Sequence, residues 1–415
     1  MNVTECRFCG STNLRKYLDL GNIPLANNLE DTYEKAINAE KFPLAVNWCT
    51  NCTMSQLTYS VDPSKLFKNY YYRSGMSNTF KTHCKDLIKD VNPNPDDFWV
   101  DIASNDGTLL SFVNCQKLGV EPATNLCHIA ESIGVPSWND FFNRTSAEDI
   151  YTTYGPADII TAQNVFAHVS DIQGFIKGIR ELLAKDGTFI VEAPWVGDLL
   201  SENQFDTVYH EHYSYISVGG MRLFCEINGL TLDRIKYFQG LHGGTIRYYI
   251  KHKGCKSELS DQWQISNVIF KESFMIDKID RMQDHVKTTG ERLKEYIGNL
   301  EDCDWMLMGV GQAAKSTIAC NFYDFLPNSL SGIFDTTPEK IGKFQPGTGI
   351  PIYDFKSIPE YAPSNLLIFP WNFKKEIIRN ICKLDWLGYK AVTIVPELTI
   401  EDPSDFVNGY GEILK

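Results

Sequence analysis

The sequence predicts an α/β protein in three parts: a cysteine-rich N-terminal segment and two Rossmann-like units joined by a long amphipathic helix. Three observations carry this. Two CxxC pairs, Cys6/Cys9 and Cys49/Cys52, bracket the first segment; strands and helices alternate from Phe98 to Ala193; and a second strand and glycine-rich turn begin at Trp305. A chain of 415 residues is too long for one hydrophobic core, given roughly 100 to 200 residues per domain. The net charge of -13 argues against a mainly electrostatic grip on nucleic acid or anionic lipid. No window reaches the ~18 apolar residues a membrane span needs. Met1 to Gly10 lacks a basic region followed by an apolar run, so no signal peptide is expected and the protein is expected to be cytoplasmic.

Taken in order, the first element is the cysteine segment, residues 1–70. Each CxxC lets two thiolates converge on one tetrahedral ion, and two pairs close a four-sulfur site with no open position for chemistry. A structural Zn2+ held by Cys6, Cys9, Cys49 and Cys52 in a zinc-ribbon-like domain is therefore expected. The remaining eight cysteines stand singly, as buried small hydrophobes do. Tyr70 to Ser77 is aromatic and small-polar, a lid-like linker in which Tyr72 and Ser74 are candidate substrate contacts. A helix through Lys89 follows, stopped by Asn92-Pro93-Asn94-Pro95.

Residues 71–250 form the second part. Phe98 to Ala103 reads as a buried strand, Ser104-Asn105-Asp106-Gly107 as a tight turn, and a helix is expected from near Leu109. The next strand, Leu118 to Val120, ends in Glu121, where a doubly wound fold holds the ribose hydroxyls of a nucleoside. Helix at Ala123 to Ile133, strand ending by Asp140, helix near Ser146, strand Ala157 to Ala162, helix Ile172 to Ala184 and strand Gly187 to Ala193 complete a mostly parallel sheet. The turn lacks GxGxxG, which disfavours NAD, whereas its looser acidic-x-small pattern fits a class I S-adenosylmethionine (SAM) methyltransferase domain. After this sheet comes Tyr209-His210-Glu211-His212. The histidines are two apart, not the four that a zincin helix needs. On an extended segment either His210 and His212 or Tyr209 and Glu211 would share a face.

Residues 251–415 form the third part. Apolar positions at three, four and seven spacings from Glu258 to Leu300 predict one long bridging helix. Beyond it, strand Trp305 to Met308, the turn Gly309-Val310-Gly311-Gln312-Ala313-Ala314 and strand Gly332 to Phe334 ending in Asp335 make a second Rossmann-like unit. Lys315, Lys340 and Lys343 are placed to meet a diphosphate.

Several segments together resemble one family, the SAM-dependent nucleotide-sugar C-methyltransferases of branched deoxysugar pathways. They are the paired CxxC segment, Asp101 to Gly107, Thr161 to Val169, Phe205 to Tyr215, Asp335 to Lys343 with Pro346-Gly347-Thr348, and Pro370 to Phe373. The resemblance implies carbon methylation at C-3 of a nucleotide-linked 4-keto sugar, with His212 as base, Glu211 and Tyr209 as its orienting or sugar-binding partners, and His168 near the keto oxygen. It makes Asp101, Ala103, Asn105, Gly107, Glu121, Asp140, Gln163 and Asn164 the SAM residues. The substrate residues become Tyr72, Ser74, Lys315, Lys340, Lys343, Trp371 and Asn372, with the nucleotide diphosphate sugar between the two Rossmann-like units of a monomer. Ala103 stands where the family usually has Gly, which is tolerable if φ stays below zero there. Tyr213 replaces the common Leu and is expected to mark a different sugar pocket. The rivals are a sugar O-methyltransferase, an NAD-dependent oxidoreductase using the GxGxxA turn, and a silent zinc-containing binding protein.

Overall fold

The computed structural model describes residues 1–66, 75, 78–241, 243–255, 258–301 and 306–406. Tyr72 and Ser74 of the expected lid, and Trp305, lie outside them. The first sheet is an antiparallel meander of β1 (Leu14–Pro24), β2 (Lys41–Cys49) and β3 (Ser55–Leu57). Its register sets Leu14 opposite Cys49, which brings the first cysteine pair beside the second.

The second sheet holds β4 (Phe98–Ile102), β5 (Gln116–Val120), β6 (Ser137–Trp138), β7 (Ala157–Gln163) and β8 (Leu183–Pro194). The chain then leaves it for β9 (Ser214–Tyr215), which pairs with β3 in the first sheet. It returns as β10 (Leu230–Phe238) and β11 (Thr245–His252). The order is β10-β11-β8-β7-β4-β5-β6, with β11 antiparallel to both its neighbours and β4 to β8 parallel. This is the class I methyltransferase arrangement. The third sheet, β12 (Leu307–Val310), β13 (Ile333–Asp335), β14 (Ile352–Asp354), β15 (Asn365–Ile368), β16 (Lys390–Thr393) and β17 (Thr399–Glu401), is ordered β14-β13-β12-β15-β16-β17 and is parallel except for β17.

Three expectations are corrected. The helix after the first glycine-rich turn is only a 3-10 turn, Leu110–Phe112, because Ala103, Asn105 and Gly107 all take positive φ in the short connection from Ile102 to Gln116. The bridging helix is two helices, Leu259–Glu272 and Ile276–Glu301. Ile265 of the first belongs to the core under the methyltransferase sheet, while Met275 and Ile279 belong to the core shared with the C-terminal unit. One straight helix could not serve both. At the break, the Glu272 carboxylate accepts Trp195 Nε1–H at 2.7 Å and the backbone N–H groups of Val218 and Gly219 at 2.6 and 2.8 Å, capping the helix Val218–Ile227. Lastly, residues 209–212 form a turn closed by His212 N–H to Tyr209 C=O at 3.0 Å, so the extended-strand alternation does not apply.

Candidate functional site

At the C-terminal end of β4 a small pocket is lined by Phe80, Asp101, Ile102, Ala103, Ser104, Asn105, Thr108, Leu109 and Gln163. Asp101 is buried, accepts the Thr161 hydroxyl at 2.6 Å, and burial raises its carboxyl to about 7. Ala103 has φ +50°, so the condition set for tolerating alanine there is not met. The left-handed conformation costs a residue bearing Cβ about 1 kcal/mol, and the turn keeps it all the same. Glu121 accepts Asn105 N–H at 3.0 Å and Ala123 N–H at 2.9 Å, which ties the end of β5 to the β4 turn. Its oxygens retain lone pairs for hydroxyl donors. Gln163 Nε2 is a buried donor with no partner among the described residues, and it lines the pocket. An orphaned donor beside a buried acid is what a polar cofactor would satisfy. Asn164 has φ +55° and its N–H goes to Glu192 C=O. Gly107 packs against Ala130, while Asp140 is exposed beyond β6, outside the pocket lining.

The turn gathers the histidines. His212 Nδ1 lies 3.2 Å from Thr207 C=O and therefore carries the proton, which leaves Nε2 to accept the Tyr209 hydroxyl at 2.8 Å. His168 sits with its ring 4.7 Å from that of His212. Its Nδ1–H donates to Glu211 C=O at 2.9 Å, and burial lowers the imidazole to about 4, so it is neutral. Glu211 does not orient His212; its carboxyl turns to Asn27 Nδ2 at 2.7 Å, and burial pushes it up to about 7. Tyr213 is fully buried, donates to Val61 C=O at 2.9 Å and lies under the Arg7 guanidinium, so it packs against the N-terminal domain and marks no sugar pocket. His210 is buried against Phe42 C=O and neutral, a supporting group.

From the C-terminal unit, Trp371 Nε1–H donates to Asp206 Oδ2 at 3.0 Å. Lys315 Nζ lies 3.7 Å over the Trp371 ring and donates to Asn372 Oδ1 at 3.0 Å. Burial lowers Lys315 to about 8 and raises Asp206 to about 6. These contacts reach the segment Phe205–Thr207 that supplies the carbonyl for His212. Lys340 and Lys343 do not join them: Lys340 caps Gln312 C=O at 2.6 Å and Lys343 pairs with Asp31 at 3.3 Å. The GxGxxA turn is filled by the chain itself. A Cβ at Gly311 would stand 2.3 Å from Pro370, and the Asp335 carboxylate already accepts the N–H groups of Gln312 and Thr337. That close approach is what sets Trp371 in place.

The four predicted cysteines have their sulfurs within 4.8 Å of one another, with Cys6 to Cys52 at 3.5 Å and Cys9 to Cys49 at 3.7 Å. Sulfurs bound at ~2.3 Å to a tetrahedral ion lie about 3.8 Å apart, so the set fits zinc. Sequence reasoning missed a buried ionic group beside the cofactor end. His83 Nε2 meets Glu192 Oε2 at 2.8 Å, Arg247 pairs with the other Glu192 oxygen, and Tyr249 bonds Asp90. Glu192 in the apolar run Phe189 to Pro194 was the available signal. Asn27 gave none.

Comparison with known proteins gives three family matches in chain order: a zinc binding domain over residues 6–67, a methyltransferase domain over 77–235 and a C-methyltransferase C-terminal domain over 240–396. C-methyltransferase NovU of Streptomyces niveus is 28% identical over 406 residues, 95% of this chain and 96% of its own. Among solved structures, a SAM-dependent methyltransferase from Anabaena variabilis ATCC 29413 overlaps 43% of this chain and 86% of its own, at 17% identity and a TM-score of 0.35. Magnesium protoporphyrin IX methyltransferase (ChlM) from Synechocystis PCC 6803 with bound SAM overlaps 42% and 79%, at 10% identity and a TM-score of 0.32. The fold assignment rests on the strand order and the domain matches, not on these overlaps. With its four-cysteine zinc site, its reversed seventh strand and all three domains in series, the chain belongs to the SAM-dependent C-methyltransferases.

Proposed function

We propose that this enzyme methylates C-3 of a nucleotide-linked 4-keto sugar through an enolate. The observation that carries the reading is the polarity of the hydrogen bonds at His212. With Nδ1–H committed to Thr207, Nε2 is a lone pair held by the Tyr209 hydroxyl, so a base and an acid share one bond. Carbon methylation needs both, a base for the proton α to a carbonyl and a donor for the oxyanion that results. In our reading His212 Nε2 takes the C-3 proton, the C–H electron pair moves toward C-4, and the Tyr209 hydroxyl turns from His212 to the C-4 oxygen. Bound SAM supplies an electrophilic methyl carbon. His168 is neutral with its Nδ1–H given to Glu211 and, in that state, does not donate to the oxyanion from that nitrogen, so we do not assign it to the keto oxygen.

Asp101, Ala103, Asn105, Gly107, Glu121, Gln163 and Asn164 form the proposed SAM side, with Asp140 further out. Lys315, Trp371 and Asn372 form the proposed nucleotide-sugar side, with Tyr72 and Ser74 kept as candidate substrate contacts from the sequence. The oxidoreductase alternative is disfavoured by Pro370, which packs against Gly311 of the GxGxxA turn. An O-methyltransferase needs no oxyanion donor and would still act on a substrate whose 4-keto group has been reduced. The decisive test is solvent deuterium exchange at C-3. His212→Ala should abolish it while SAM binding persists, and unchanged exchange would move the base to another residue, His168 first.

A further inference from the structure

The helix Leu259–Glu272 uses Ile265 and Glu272 to hold the methyltransferase domain, and presents its opposite side to solvent. That side is apolar: Leu259 is 87% exposed, Trp263 69%, Phe270 63%, and Phe274, just past the helix, 63%. At 100° per residue the first three fall within about 40° of arc. Phe274 continues the stripe, meeting Phe270 edge to face at 5.1 Å. Large exposed aromatics aligned in one patch mark an interaction surface.

We propose that a second copy of this chain covers the stripe, the two helices crossing antiparallel about a twofold axis between Ser266 and Asn267. The spacing argues for self-association. Leu259 and Trp263 are one helical turn apart, Phe270 and Phe274 likewise, and the two pairs lie symmetrically about the 266/267 midpoint. An isologous contact requires one patch to complement itself. Here the twofold sets Leu259 against Phe274 of the partner subunit and Trp263 against Phe270 of the partner subunit, while the small, exposed Ser266 and Asn267 at the centre allow close approach. Taking about 150 to 250 Å² for each full aromatic side chain, the exposed parts of the four residues supply on the order of 500 Å² per copy. Two copies bury on the order of 1,000 Å² before the rim is counted, where specific interfaces begin. The sequence carried the expectation of a monomer, and the exposed stripe argues against it.

Sedimentation velocity on the full chain at micromolar concentration should give twice the 47.2 kDa chain mass. Trp263→Asp should raise the dimer dissociation constant about 100-fold or more while SAM binding and methyl transfer persist, which shows that the variant is folded. Ser266→Cys, next to the axis, should form an intermolecular disulfide in a glutathione buffer, and Lys278→Cys, off the stripe, should not. A monomeric wild type, a dimer that survives Trp263→Asp, or a dimer in which Ser266→Cys fails to cross-link would each overturn the proposal.

Discussion

Glu211 is a buried carboxyl whose charged form receives a hydrogen bond from Asn27, and burial outweighs it, pushing the group from 4.5 up to about 7. The sign of the resulting pH dependence follows. Below pH 4.5 the group is protonated whether folded or not and adds nothing to the slope. Between 4.5 and 7 the unfolded chain gives up the proton and the folded one keeps it, so stability falls as pH rises, by up to about 3 kcal/mol. Above pH 7 both states are ionised and the loss is complete. Glu211→Gln keeps an oxygen for Asn27 and does not titrate. Denaturant melts from pH 4.5 to 8 should therefore show the variant gaining on the wild type by up to about 3 kcal/mol across that window. Parallel stability curves would mean Glu211 is ionised in the folded protein throughout.

Elements decide how the site residues meet. The zinc knuckle lies against the loop that carries His168: Arg7 donates to Ser170 C=O at 2.8 Å, Gln173 Nε2 donates to the carbonyls of Arg7 and Phe8 at 2.8 and 3.2 Å, and the Phe8 ring packs on Phe166 and Phe224. Gly220 admits the knuckle, since a Cβ there would lie 2.8 Å from Cys52 C=O. Stripping the metal with a chelator should therefore lower kcat strongly while leaving SAM affinity close to unchanged, because a displacement of about 1 Å at a positioned group can cost ~10²-fold. Equal losses in kcat and SAM affinity would show general unfolding instead. The parallel strands β4, β5, β7 and β8 were legible in the sequence because they are apolar runs between turn signals, whereas their order in the sheet and the strands β10 and β11 were not read from it. The cysteine set was legible from spacing alone. The turn at Tyr209 was not, since its fold depends on Thr207 and His168, contacts that no local pattern encodes. Nor was the break at residues 273–275, which serves two separate cores. Tyr213 was misread as a pocket residue because its partner, Val61, lies 152 positions away.

At the scale of the whole molecule the Tyr209–His212 turn lies where the chain crosses from the methyltransferase sheet to the N-terminal sheet, and all three domains reach it. The N-terminal domain holds it through Asn27 on Glu211 and Phe42 C=O on His210, the methyltransferase domain through His168, and the C-terminal unit through Trp371 on Asp206. If the turn is a single positioned element, Asn27→Ala and Trp371→Phe should not act independently. Trp371→Phe keeps a ring beneath Lys315 and removes only the N–H donated to Asp206, while Asn27→Ala removes the donor to Glu211. Once either domain has loosened the turn, loosening it from the other side has less left to cost. In kcat, the double variant should fall short of the summed single effects by about 0.5 to 3 kcal/mol, the range for coupled residues, whereas independent sites add within ~0.5 kcal/mol. Additive losses would show that each domain positions its own part of the site, and that the three-domain architecture does not converge on His212.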